Sequence, residues 1–165
     1  MTPWLHDVLR HQHDRGLVVD ANVLLLRCVG LVRPAMISTF KRTKKYTIDD
    51  FRRVDEIWKR FQRIVTTPAI LTEVTNLSGQ MNEPARSELF RAITRAIGSL
   101  SEKYIASAVL CQRDAFAQFG LTDAGIEAEA EQGALVLTDD RALAGYIRSR
   151  QFLAIALDEL GSPSQ

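Results

Sequence analysis

Gly16-Leu17-Val18-Val19-Asp20-Ala21-Asn22-Val23-Leu24-Leu25 is the stretch that decides the fold of this chain. Leu17, Val18 and Val19 form an unbroken apolar run that halts at a carboxylate. A strand without polar alternation is covered on both faces, as in a parallel sheet. The apolar residues after Asp20 recur as a buried helix over 23–29 that ends near Gly30. An open α/β sheet carries its chemistry beyond the carboxyl ends of its strands, where Asp20 stands. Asp is also a good helix N-cap, so this residue alone leaves a functional and a structural role open.

The chain has 165 residues, 46% hydrophobic and 25% charged, enough for one domain with a sizeable core over residues 1–160. Basic and acidic residues number 21 and 20, so net charge points to no class of partner. Cys28 and Cys111 have no pairing or metal spacing and lie in apolar stretches, so both are expected as core residues in a reducing, cytoplasmic setting. Residues 1–15 carry charges throughout and lack the apolar centre of a signal peptide. No apolar run approaches the roughly 20 residues of a membrane span, so no membrane partner is expected. The tail over 161–165 is expected to be disordered.

Outward from the first strand, residues 1–15 read as an N-terminal helix. His11 and His13 are two apart and cannot share a helix face, which argues against a metal site with His6. Residues 31–62 form a basic helical insertion. Thr47 and Asp50 resemble a capping box, and Ile48, Phe51, Val54, Ile57, Trp58 and Phe61 recur at helical spacing to about Gln62. Residues 41–63 hold nine basic and four acidic residues. Lys41, Arg42, Lys44 and Lys45 lie between Phe40 and Tyr46, a pattern suited to nucleic-acid phosphates with bases to stack. An ordinary solvated face explains the composition equally well.

A second strand is expected over 64–67, and Pro68 opens the helix that carries Glu73. Residues 83–100 read as an amphipathic helix, and 101–119 as one or two short helices. Thr122 is expected to cap a helix that begins at Asp123 and ends near Gly133. A strand over 134–138 stops at Asp139 and Asp140, and a last strand covers 152–157. The fold class is α/β: a three-layer α/β/α sandwich with a central parallel sheet of four to five strands.

Residues 121–140 hold six acids and no base. In the expected topology Asp20 and Asp140 stand past strand ends, and Glu73 and Asp123 near helix starts, all toward one sheet edge. A pair of carboxylates at roughly 4 Å repels by about 4 kcal/mol at an effective dielectric near 20. Such a group takes up protons or binds cations. Carboxylates without His or Cys suit Mg²⁺ or Mn²⁺. Acid-held Mg²⁺ beside a basic surface is suited to phosphodiester hydrolysis.

Four motifs here resemble those of PIN-domain nucleases: Val19-Asp20-Ala21-Asn22, Pro68-Ala69-Ile70-Leu71-Thr72-Glu73-Val74, Leu121-Thr122-Asp123-Ala124 and Val136-Leu137-Thr138-Asp139-Asp140-Arg141. Their order matches, and the resemblance covers residues 16–158. It implies a Mg²⁺- or Mn²⁺-dependent ribonuclease in which Asp20, Glu73, Asp123 and Asp140 hold the metal. Glu73 orients the attacking water in an alternative assignment, and Asp139 is an alternative fourth ligand. Asn22 and Thr138 are implied as supporting residues. Toxins of toxin–antitoxin pairs are the most numerous members, so an antitoxin partner and a homodimer join the RNA substrate among the implied partners. Two features depart from the pattern: Ala21 stands where a threonine is common, and the insertion lengthens the interval from Asp20 to Glu73.

Two other readings compete. One is a PIN-like module that binds RNA or a partner without turnover. The other is an acid-based phosphotransfer enzyme. The haloacid-dehalogenase phosphatases need a second acid two residues after the first, and here Asn22 occupies that place.

Overall fold

The computed structural model describes residues 3–161. In chain order it comprises α1 (Pro3–Gln12), β1 (Leu17–Val19), α2 (Ala21–Val32), a 3-10 turn (Pro34–Met36), α3 (Ile48–Trp58), β2 (Ile64–Thr66), α4 (Pro68–Ser78), α5 (Ala85–Ile97), β3 (Ser101–Glu102), α6 (Ser107–Leu110), α7 (Asp114–Phe119), α8 (Leu121–Glu131), β4 (Leu135–Thr138), α9 (Arg141–Ser149), β5 (Ala154–Ala156) and a 3-10 turn (Leu157–Gly161). Residues 162–165 of the expected tail lie outside the described residues, and Gly161 belongs to the last turn rather than to a disordered segment.

The strands make one parallel sheet in the order β3-β2-β1-β4-β5. The fold is therefore α/β with an all-parallel sheet between helical layers, as the sequence implied. Every residue of β1, β2, β4 and β5 is buried, because helices cover both faces. From β1 the chain steps outward to β2 and β3, then returns to β4 on the other flank of β1. The strand order thus reverses between β1 and β4, and a crevice opens beyond their carboxyl ends.

Four helix starts, those of α2, α3, α4 and α9, are capped by a side chain. Thr47 and Asp50 form the expected capping box of α3, with Thr47 N–H donating to Asp50 at 2.8 Å and Asp50 N–H to Thr47 at 3.1 Å. Thr67 caps α4 ahead of Pro68. Arg27 ties α2 to α3 by an ion pair with Asp55 at 3.0 Å and by stacking 4.0 Å from the Trp58 ring centre.

Several local expectations are corrected. Gly30 does not end α2; it lies inside it, where a Cβ would come within 2.3 Å of the Phe51 ring. This glycine permits close approach of α2 and α3. α3 stops at Trp58 because the main chain tightens there, with Arg60 N–H on Ile57 and Phe61 N–H on Trp58, before entering β2. α5 runs over Ala85–Ile97, shorter than the expected span. The span expected as one or two short helices over 101–119 holds α6 and α7 but opens with β3, whose two polar residues pair with β2 through the backbone alone, which leaves no side-chain signature. Thr122 does not cap α8; Gly120, at φ +91°, is the N-cap and its conformation suits glycine. The last strand is three residues long. Cys28 is buried, but Cys111 is exposed, because α6 is a single turn on the surface.

His11 and His13 each pair with a carbonyl of their own segment, Asp7 at 2.7 Å and Arg10 at 3.1 Å. Among the described residues, no helix is long and apolar enough to cross a membrane.

Candidate acidic site

Asp20 follows β1 and is only 6% exposed. Its main chain still pairs with the sheet, donating to Leu137 at 3.2 Å. One carboxylate oxygen, Oδ1, accepts from Val23 N–H at 2.7 Å and caps α2. The other, Oδ2, accepts from the Thr138 hydroxyl and from the Asp139 N–H at 2.8 Å. Thr138 is fully buried, and its hydroxyl also accepts from Asp140 N–H at 3.0 Å. The supporting role expected of Thr138 thus has a physical form: it links the ends of β1 and β4.

Asp139 and Asp140 divide their work. Asp140 caps α9, its Oδ1 accepting from Ala142 at 2.7 Å and Leu143 at 3.1 Å. Asp139 turns toward the insertion. Its Oδ2 accepts from Lys45 and from the Tyr46 hydroxyl at 2.5 Å, and its Oδ1 from Asn22 at 3.2 Å.

Asp20, Glu73, Asp123, Asp139 and Asp140 line one cleft of about 250 Å³, together with Asn22 and Thr138. Phe119, Leu121 and Leu143 supply its apolar wall. The structure therefore gathers all the acids singled out from the sequence, although they come from four separate segments.

Their electrostatics bear the mark of crowding. Burial pushes the Asp123 carboxyl up to about 7, helped by the negative charges of Glu73, Asp140 and Asp139. Burial and the charge of Asp139 also raise Asp20, against the pull of its three hydrogen bonds. At Asp139 burial opposes ionisation, but the hydrogen bonds from Lys45, Tyr46 and Asn22 prevail and hold it low. Burial and the same Asp139 bond push the Tyr46 hydroxyl far up, so it stays a donor.

Oxygen donors with unrelieved negative charge are the donor chemistry of Mg²⁺ and Mn²⁺, and the cleft residues fit such ions in kind. Among the described residues, no group of three or more His, Cys, Asp or Glu is arranged to hold a metal ion as it stands. Binding would therefore require side-chain adjustment.

The four basic side chains have different neighbours. Only Lys45 reaches the acidic cleft, through Asp139. Arg42 donates to Gln80 at 2.8 Å, and Lys41 lines a different cavity, of about 410 Å³, beside Gln80 and Met81. Lys44 is exposed. Phe40 and Tyr46 are each only 8% exposed, so they are core residues rather than base-stacking platforms. Nothing in the local pattern marks Tyr46 as part of the acidic site; its partner Asp139 lies 93 positions away.

Comparisons with protein-family models, with curated proteins and with solved structures find no match to this chain. The functional reading therefore rests on the cleft itself.

Proposed function

We propose that this protein is a Mg²⁺- or Mn²⁺-dependent endoribonuclease of PIN-like type. The observation that carries the reading is the convergence of Asp20, Glu73, Asp123 and Asp140 on one cleft at the strand-order reversal. These four residues would hold the metal; when bound, it supplies Lewis-acid stabilisation of charge developing on the phosphate. Thr138 and the Asp139 N–H fix Asp20, and Asn22 fixes Asp139. Phe119 and Leu121 exclude water from one wall. Glu73 sits one and a half turns into α4, where it can orient the water that attacks phosphorus. Attack with loss of the 3′-oxygen would leave a 5′-phosphate and a 3′-hydroxyl.

The test is a cleavage time course on end-labelled RNAs with Mg²⁺, Mn²⁺ or EDTA, beside the doubly changed Asp20→Asn, Asp123→Asn protein. Metal-dependent cutting that disappears in the double variant supports the proposal. Equal cutting by both proteins overturns the site assignment.

A second reading, an RNA-binding or complex-forming module without turnover, is favoured by the structural duties of two acids. Asp20 and Asp140 both cap helices, a role they fill without chemistry. RNA binding by a protein that never cuts would decide for it. The toxin reading adds an antitoxin partner to the proposal and is tested by growth arrest on expression.

A further inference from the structure

Asp139 lies in the acidic cleft, yet its bonding differs from that of its neighbours. Its side chain is 10% exposed and receives three donors from two distant parts of the chain. Lys45 and Tyr46 belong to the basic insertion. Asn22 belongs to the first turn of α2. The carboxylate thus joins the insertion to both central strands. A cation at Asp139 would sit against the Lys45 ammonium and displace bonds already made.

The backbone of Asp139 faces the other way. Its N–H is one of three donors on the Asp20 carboxylate. Locking the Asp139 side chain locks that N–H. Tyr46 is well placed for this, because it is itself held in the core and its insertion is internally braced: the buried Thr43 hydroxyl donates to Ile37 C=O at 2.9 Å. Lys45 is different. Its side chain is 59% exposed and lines a separate pocket of about 220 Å³ that meets the acidic cleft at Asp139, so its ammonium stands at the shared rim with donors to spare.

We infer that Asp139 is a positioning residue and not a metal ligand: clamped by Tyr46 and Asn22, it aims its main-chain N–H at Asp20, and it stations Lys45 at the rim for a substrate phosphate. This inference deepens the nuclease reading and rests on it for the role of Lys45. It assigns the insertion two functions: Tyr46 braces the acids, and Lys45 meets the RNA backbone.

The experiment uses the full chain and three readouts. The first is calorimetric titration with Mn²⁺ alone. Asp139→Asn keeps the N–H and an acceptor for Tyr46, so it weakens Mn²⁺ by about threefold or less, whereas Asp123→Asn weakens it by about thirtyfold or more. Equal weakening in the two variants would make Asp139 a ligand and overturn the inference. The second is RNA cleavage. Tyr46→Phe lowers kcat about tenfold with little change in KM, and added to Asp139→Ala, which removes its acceptor, it costs nothing beyond Asp139→Ala alone. Lys45→Ala raises KM, and Lys45→Arg restores it. Additive effects in the double variant, or a KM that ignores Lys45, count against the assignment.

The third readout needs no turnover. In a ¹⁵N-labelled sample, Tyr46→Phe speeds hydrogen exchange at the Asp139 amide, while Arg42→Ala does not. Unchanged protection of that amide sinks the clamp. A wild type that binds no Mn²⁺ and cuts no RNA sinks the nuclease reading instead, and the amide still decides the clamp.

Discussion

The main-chain N–H of Asp139 donates to the Asp20 carboxylate at 2.8 Å, across 119 positions of sequence. This bond crosses the point where the strand order reverses, between the ends of β1 and β4. It makes the conformation of one acid depend on the placement of the other.

Replacing Asp20 should therefore cost stability as well as chemistry. Asp20→Ala removes the cap of α2 and orphans the Thr138 hydroxyl and the Asp139 N–H. Removal of the cap alone costs about 1 kcal/mol, and orphaned buried donors add about 1–3 kcal/mol. Urea denaturation should show a lower midpoint for Asp20→Ala than for Asp20→Asn, which keeps an acceptor oxygen. Equal midpoints would contradict the hydrogen-bond account.

Stability of the metal-free protein should fall as pH rises from about 4 toward 7. Asp123 has a folded-state value of about 7 against an ordinary 3.8. Between those values the folded chain holds more protons than the unfolded one, so raising pH favours unfolding. Burial and the charges of Glu73, Asp140 and Asp139 cause the shift, so Asp123→Asn should reduce the slope and leave the part that comes from the raised Asp20. Urea midpoints across pH 4.5–8 in chelator, about half a unit apart, test this. A midpoint that rises through the window for the wild type would refute it.

Gly30→Ala should destabilise, although alanine is the better helix former by about 1 kcal/mol. The added Cβ would lie 2.3 Å from the Phe51 ring, inside a packed contact between α2 and α3. Overpacking of this kind costs about 1–3 kcal/mol, so the clash outweighs propensity. A lower denaturation midpoint is expected for Gly30→Ala, restored in part by Gly30→Ala with Phe51→Leu.

Exchange of Lys41, Arg42 and Lys44 for alanine should weaken RNA binding if these residues meet the backbone. Each phosphate left without its cationic partner lowers the slope of log K against log salt by about 0.7 for a single strand. Fluorescence anisotropy of the non-cutting Asp20→Asn, Asp123→Asn protein, taken at several salt concentrations, reads that slope. An unchanged slope would confine strand guidance to Lys45.

Much of this fold was legible because it is written locally. Leu17-Val18-Val19 and Leu135-Val136-Leu137 are apolar runs whose burial on both faces needs a parallel sheet. The capping pair Thr47 and Asp50, and Pro68 at the start of α4, mark their helices within four residues. From strands that end on acids, the gathering of Asp20, Glu73, Asp123 and Asp140 at one edge followed from topology. What the sequence could not divide was the pair Asp139 and Asp140, which share a segment and a chemistry. Only tertiary structure separates them, because one carboxylate faces its own helix and the other faces Lys45 and Tyr46. The same holds for β3, paired through backbone alone, and for Gly30, whose partner ring belongs to another helix. Hydrophobic period and capping act over a few residues and so leave a pattern in the sequence. Hydrogen bonds and close approaches between distant segments depend on where the whole chain brings them, and leave none.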